Sequence, residues 1–249
     1  MIKVVVLGAG NVGTHLCNVF EKSDKVLLLQ NYNRKGELVL NSNVPVTNQL
    51  SNIASAEVYV VTYNDNALLE EVLVLKKLNG LVVHTSGATP IDVFNDLDNY
   101  GVFYPLQSFK KSLSVNFSTV PIIVEANSKQ NEALLLHLAQ SISTVVYQIN
   151  SKQRNALHVA AVFANNFSNF MYTQAKNICD DFGIDFQILK PLVTETIKKM
   201  EISNPEEVQT GPAIRGDIKT IERHLVTLEQ DNQKEIYRVL TKAIQEHYK

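Results

Sequence analysis

The chain begins with "MIKVVVLGAGNVGTHLCNVFEK", residues 1–22, and the reading of residues 2–13 decides the fold. The run "IKVVVLG" has the length and valine content of a buried strand, and it ends in glycines. Gly8, Gly10 and Gly13 fall at G-x-G-x-x-G spacing, and "THLCNVFEK" continues as a helix. A strand, a glycine turn and a helix in this order make a dinucleotide-binding elbow. The first glycine makes the tight turn, the second lets backbone approach a diphosphate, and the third lets the helix pack closely. The diphosphate would rest on the helix N-terminus, at Gly10, Asn11, Val12 and Gly13, where unpaired N–H groups and the macrodipole favour anions.

Working outward, the runs "KVLLLQ", "EVYVVT", "GLVVHT", "VPIIVEA" and "TVVYQI" alternate with helix-like segments. Continuous apolar runs of this length predict strands buried on both faces of a mostly parallel sheet. From Ser151 to Lys249 the pattern is helical, with breaks at "FGIDF", "SNPEE" and "TGPAIRGD". The expected architecture is a doubly wound α/β domain over residues 1–150, followed by an all-helical domain over residues 151–249.

The end of the second strand selects the dinucleotide. An acidic residue there, about 20 residues on, would hold the ribose 2′-hydroxyl of NAD. This chain has "QNYNRKGE", with Asn33, Arg34 and Lys35 in place of a carboxylate. A guanidinium beside an ammonium suits a 2′-phosphate through charge-assisted hydrogen bonds, so NADP(H) is expected. A solvated basic turn is the other reading of the same residues.

Ligands in such sheets bind outside the carboxyl ends of the strands, which points to "VVTYNDNAL" and "VVHTSGATP". Thr62, Tyr63, Asn64 and Asp65 are expected along the ribose and diphosphate, and His84, Thr85, Ser86 and Gly87 nearer the nicotinamide. Asp65 has a second reading as a helix cap, and His84 as a hydrogen-bonded structural histidine.

In the second half, "NALHVAAVFANNFSNFMYTQA", residues 155–175, concentrates a histidine and several asparagines in an apolar helix. At about 100° per residue, Asn165 and Asn169 each fall within about 20° of His158, with Asn166 about 80° from it. A helix apolar on its other faces is expected to be buried, and its polar stripe either bonds neighbouring helices or lines a wet pocket. A pocket beside the nicotinamide would hold a reducible substrate.

Bulk properties narrow the classes. A formal net charge of -2, without a cluster of basic residues and aromatics, disfavours nucleic acid as a partner. Polar residues break every apolar run well short of a membrane span. The two cysteines, Cys17 and Cys179, lie far apart, which suits free buried thiols and neither a disulfide framework nor a metal site. The N-terminus does not read as a signal peptide, and a cytoplasmic location is expected.

The stretches "GAGNVG", "HTSGA", "PLQSF", "HVAAVFANNF" and "TGPAIRGD", in this order and spanning nearly the whole chain, resemble a family of predicted Rossmann-type oxidoreductases. That family has a helical C-terminal domain and a function long unknown. It is related in layout to pyrroline-5-carboxylate reductase, ketopantoate reductase and the β-hydroxyacid dehydrogenases. The resemblance implies hydride transfer between a nicotinamide dinucleotide and a C=O or C=N bond. The last two helices, "IKTIERHLVTLEQ" and "NQKEIYRVLTKAIQEHY", have apolar stripes that could pack within one chain or across a two-fold axis. Related enzymes often dimerise through this domain, and a homodimer is expected. Many members carry a histidine before "PLQSF"; this chain has Tyr104, whose hydroxyl can donate a proton, and Gln107 is expected beside it at the substrate. The β-hydroxyacid dehydrogenases place a lysine and an asparagine one turn apart on the first helix of their second domain. No such lysine faces this stripe, and His158 with Asn166 is the nearest equivalent by location.

The tripeptide Arg215-Gly216-Asp217 within "QTGPAIRGD" is not expected to serve adhesion, in the absence of an export signal. Asp217 is placed to cap "IKTIERHLVTL". Arg215 reads as a surface residue, as a partner of Asp217, or as a contact to a substrate carboxylate or phosphate.

Together these readings predict an NADPH-dependent reductase of a small carbonyl or imine compound, with no metal. His158 is the expected proton donor or carbonyl polariser, Asn165 or Asn166 orients the substrate, and Ser86 and His84 stand beside the nicotinamide. A dehydrogenase acting on a hydroxy acid and a non-catalytic NADPH-binding sensor or scaffold are the alternatives.

Overall fold

The computed structural model describes residues 1–249, except for the side chains of Leu69 and Leu73. The chain forms two compact units, Met1–Val162 and Phe163–Lys249, so the helix that begins at Ser151 is counted with the first.

The first unit contains one sheet of eight strands: β1 Ile2–Leu7, β2 Val26–Tyr32, β3 Val46–Thr47, β4 Val58–Val61, β5 Leu81–His84, β6 Tyr100–Pro105, β7 Ile122–Ala126 and β8 Val146–Gln148. Their order is β3-β2-β1-β4-β5-β6-β7-β8, and all neighbours run parallel except β6 and β7. The chain winds outward from β1 in one direction and resumes at β4 in the other. The carboxyl ends of β1 and β4 therefore flank a topological switch point, where crevices open in such sheets.

Alternation along the strands builds two cores. Val4 and Val6 face one side with Leu16 and Phe20 of α1 (Asn11–Lys22). Leu135 and Leu138 join them there from a later helix, Lys129–Gln140. Val5 and Leu7 face the other side with Leu68 of α2 (Asp65–Glu70) and Leu75 of α3 (Val72–Leu75). The helix Lys129–Gln140 is α4. A third cluster gathers Val102, Tyr104 and Ile123 against Leu157 of α5 (Ser151–Ala161). These apolar clusters make the sheet a two-sided core, as its runs of valine and isoleucine require.

Two strands lie outside the sequence expectation. β3 is two residues long, too short for periodicity to register. β6, "YGVFYP", carries a glycine and ends in proline, both of which read as strand breakers. Its glycine is explained by the neighbouring strand: a Cβ on Gly101 would lie 2.5 Å from the carbonyl oxygen of Glu125 on β7.

The second unit contains α6 (Ser168–Asp181), α7 (Lys190–Ile202), α8 (Ile218–Thr227) and α9 (Asp231–His247). As expected, Asp217 caps α8, its side chain accepting from the Thr220 amide at 3.1 Å. Five of its residues are buried: Cys179, Ala213, Ile221, Leu228 and Gln233.

The stretch 155–175 corrects two expectations. It is not a regular α-helix, because Val162–Phe167 forms a π-helix between α5 and α6. A π-turn takes more residues than an α-turn, so an angle counted at 100° per residue does not carry from His158 to Asn165, Asn166 or Asn169. Nor is the stretch buried: Val159 is 50%, Phe163 65% and Phe167 50% exposed. The physical reason is that an apolar helix face is buried only where something covers it, and this chain leaves that face uncovered.

Candidate functional site

The glycine elbow has the geometry that its spacing predicts. Gly8 has φ 109°, a conformation that side-chain-bearing residues rarely adopt. A Cβ on Gly13 would lie 2.3 Å from the Gly8 carbonyl oxygen, so α1 approaches the turn as closely as backbone allows. At Gly10 a Cβ would meet no protein atom within 4 Å. The space beside this backbone is open, and no side chain caps the start of α1.

A residue that the sequence reading missed holds the elbow in place. Asn31 is fully buried in β2, and its amide donates to the carbonyls of Val6 at 3.0 Å and Gly8 at 2.9 Å. Asn33 is also turned inward. Its amide donates to Asn31 Oδ1 and to the Glu37 carbonyl, both at 2.9 Å, while its Oδ1 accepts from the Glu37 amide. Asn33 thus shapes the loop, and Arg34 and Lys35 are left exposed on it. Among the described residues Lys35 lies 3.6 Å from Glu37, whereas Arg34 forms no ion pair. A lone asparagine inside an apolar strand was the signal available in sequence, since a buried amide must find partners.

A cleft of about 570 Å³ joins the turn Gly8–Val12 to Asn33, Arg34 and Lys35 and to Thr62, Tyr63 and Asn64. Lys111 also lines it, from the loop after β6; its amide donates to Asn11 Oδ1 at 3.2 Å. Burial pushes the Tyr63 hydroxyl above the ordinary tyrosine range, with Arg34 opposing, which leaves the phenol protonated. Asn64 caps α2 by accepting from the Ala67 amide at 2.9 Å, so the capping role considered for Asp65 falls to its neighbour. Asp65 instead accepts from the Thr89 hydroxyl at 3.0 Å.

At the end of β5, His84 is fully buried against the edge of Phe94. Burial, reinforced by the charge of Arg154, lowers its pKa to about 3. Its Nδ1 accepts from the Ser86 amide at 3.2 Å, so it is a neutral ring that supports the loop. Ser86 in turn uses its oxygen to accept from Ala88 and Thr89, and Thr85 donates to the Val61 carbonyl. These three side chains shape the turn at "HTSGATP".

The same turn faces the pair that the fold assembles from distant segments. Tyr104 at the end of β6 and His158 on α5 share a hydrogen bond of 3.0 Å between the hydroxyl and Nδ1. Gly87 lies against both, since a Cβ there would fall 2.5 Å from His158 Nδ1. Burial raises the Tyr104 hydroxyl above its usual range, against the pull of the Arg154 charge. The pair therefore holds a protonated phenol against an imidazole. In one tautomer the phenol donates to Nδ1 and the Nε2–H is left free; in the other Nδ1–H donates to the phenol oxygen and the hydroxyl proton is left free. Either arrangement has one proton to give.

Arg154, Glu125 and Ser151 were also missed by the sequence reading. Arg154 is fully buried and forms an ion pair with Glu125 of β7. The available signal was a carboxylate ending the apolar run "VPIIVEA" and an arginine one helical turn before His158. Gln107 accepts from the Ser108 amide at 2.8 Å beside the cleft-lining loop. Asn165, Asn166 and Arg215 belong to the second unit, and all three are exposed there. Among the described residues no group of three or more His, Cys, Asp or Glu is placed to hold a metal ion.

A doubly wound sheet that opens a glycine-lined cleft at its switch point defines the Rossmann-type class of folds found in nicotinamide-dependent oxidoreductases. Within it, residues 120–244 match the family described as a domain of unknown function, DUF2520, and the chain belongs to that family. A candidate NADP oxidoreductase from Bacteroides fragilis is 34% identical, with a TM-score of 0.91 and 98% of each chain covered. The fold extends to pyrroline carboxylate reductase from Plasmodium falciparum with NADP bound, 12% identical, at a TM-score of 0.64 over 98% of each chain. It extends also to a reductive aminase from Aspergillus terreus in complex with NADPH, 12% identical, at a TM-score of 0.69 over 99% of this chain and 93% of the other. No functionally curated protein is a significant match. Among the described residues no helix is long and apolar enough to cross a membrane.

Proposed function

We propose that this protein is an NADP(H)-dependent oxidoreductase that reduces a small carbonyl or imine compound. The observation that carries the reading is the cleft, in which open space at Gly10 faces backbone donors while Arg34 stands free at the end of β2. A dinucleotide diphosphate fits the elbow, and a 2′-phosphate fits Arg34 and Lys35, because each group meets the donor type that recognises it. The similarity to a candidate NADP oxidoreductase supports the same cofactor. When bound, such a cofactor would supply hydride chemistry toward a C=O or C=N carbon.

The chain's own residues supply the rest. His158 and Tyr104 deliver the proton that the oxygen or nitrogen takes up, from whichever of the two holds the free hydrogen. Gly87 keeps the space between them clear, and His84 with Ser86 holds the turn that carries it. Gln107, on the segment that follows Tyr104, is proposed to orient the substrate.

The exposed phenylalanines of the second unit, and the few residues buried within it, support a homodimer in which a second copy covers those helices. The two free, buried cysteines suit the cytoplasm.

Titration with NADPH and NADH, followed by turnover of reduced cofactor with a panel of keto acids, aldehydes and imines, tests the reading. Preferential NADPH binding and consumption are expected. Tight binding without consumption would favour a sensor, and absence of binding would end the proposal. Sedimentation equilibrium tests the dimer.

A further inference from the structure

An ion pair between the fully buried Arg154 and the half-buried Glu125 lies next to the His158 and Tyr104 contact and bonds to neither. The Arg154 guanidinium binds Glu125, the Thr89 carbonyl at 2.6 Å and the Ser151 hydroxyl at 3.1 Å. Glu125 accepts from the Ser151 amide at 2.9 Å and hydroxyl at 2.8 Å, and the Ser151 oxygen accepts from the Ile91 amide at 2.9 Å. These bonds join β7, the segment that follows Gly87, and the first turn of α5.

Each of these three pieces carries or braces a wall of the proton-donating pair. β7 pairs with β6, with Ile123 opposite Tyr104 and Glu125 opposite Val102. Thr89 lies two residues beyond Gly87, which packs on both rings. Arg154 and His158 are one turn apart on α5 and so share a helix face. A buried ion pair adds little net stability over a well-packed apolar replacement, because desolvation offsets attraction. Geometry is what such a pair contributes.

We propose that Glu125 and Arg154 are positioning residues that set the contact between His158 and Tyr104, a role that rests on reading those two as the proton donor. They touch neither the cleft nor the reacting atoms. They act through α5 and the 89–91 turn.

The test uses the full chain labelled with ¹⁵N-histidine, with NADPH present. The ring signals of His158 are identified by their loss in His158→Asn, and the effect of losing the phenol contact is read from Tyr104→Phe. Glu125→Gln removes the charge at constant shape, and Arg154→Lys keeps the charge but loses the fork. Both are expected to move the His158 Nδ1 signal as Tyr104→Phe does, while NADPH affinity changes by less than about twofold. An unmoved His158 signal in folded variants would overturn the proposal. Where both variants fail to fold, Ser151→Ala decides by the same signal, since it deletes one hydroxyl.

Turnover on a substrate from the panel gives a second readout. Glu125→Gln alone is expected to lower kcat about tenfold or more, and to cause no further loss in a His158→Asn background. Losses that multiply would mark a merely structural pair and overturn the assignment. Wild-type protein that binds no NADPH would sink the functional reading, while the ring signals would still decide this one.

Discussion

Gly87 stands against His158 with no room for a methyl group: a Cβ there would fall 2.5 Å from the imidazole Nδ1 and 2.8 Å from Cζ of Tyr104. The 3.0 Å hydrogen bond between the two rings therefore depends on a residue that has no side chain. Gly87→Ala is expected to separate the rings and lower turnover about tenfold or more, since small misplacements of a reacting group are costly. NADPH affinity should stay within about twofold, because the cleft does not include Gly87. Comparison of kcat with the dissociation constant checks this, and equal losses in both would count against it.

The second and third glycines of the elbow should respond in opposite ways. Gly13→Ala drives a methyl group to 2.3 Å from the Gly8 carbonyl and 2.6 Å from the Thr62 hydroxyl, so a loss of about 1–3 kcal/mol of stability is expected. Gly10→Ala meets nothing within 4 Å in the protein, so its stability should change by less than about 0.5 kcal/mol. Its NADPH affinity should nevertheless fall about tenfold, if a diphosphate occupies that space. Urea unfolding and fluorescence titration separate the two effects; unchanged affinity in Gly10→Ala would exclude close approach at this backbone.

Arg34 is exposed and, among the described residues, unpaired, so its guanidinium is available to a ligand. Arg34→Ala is expected to weaken NADPH binding about tenfold to a hundredfold, the range for a hydrogen bond to a charged group. NADH, which has no 2′-phosphate, should bind as before. Parallel loss for both cofactors would mean that Arg34 contacts something other than the 2′-phosphate.

Acid stability should report His84. Its folded pKa of about 3 lies below the ordinary value near 6.5, because burial first, and the Arg154 charge second, disfavour the imidazolium. Between those values the unfolded chain binds a proton that the folded chain refuses. The contribution is therefore complete above pH 6.5, shrinks as pH falls and is gone near pH 3. Between pH 6.5 and pH 5 the loss is about 2 kcal/mol. His84→Asn should flatten this part of the stability profile relative to wild type in urea titrations, and identical slopes would show that the ring is not held neutral.

Much of the fold was legible from runs of Val, Ile and Leu, because a strand buried on both faces must be apolar throughout. β6 was not, since Gly101 and Pro105 read as breakers until β7 is seen to require the glycine. In the candidate site, Gly8, Gly10, Arg34 and Thr62 were foreseen and do share one cleft. Asn33 lines the same cleft, with its amide committed to Asn31 and Glu37. A side chain's partners cannot be inferred from its place in a loop.

The order of residues alone settles what depends on near neighbours: the elbow, the strand and helix alternation, the cap at Asp217 and the basic turn. Apolar period, missing side chains and local hydrogen bonds act over a few residues and leave a readable pattern. Folding in three dimensions is what brings Tyr104 to His158 across 54 positions and Glu125 to Arg154 across 29. It also inserts a π-helix where the sequence suggests a regular one. Such contacts depend on how strands register and how helices seat, and the sum of packing over the whole sheet determines both.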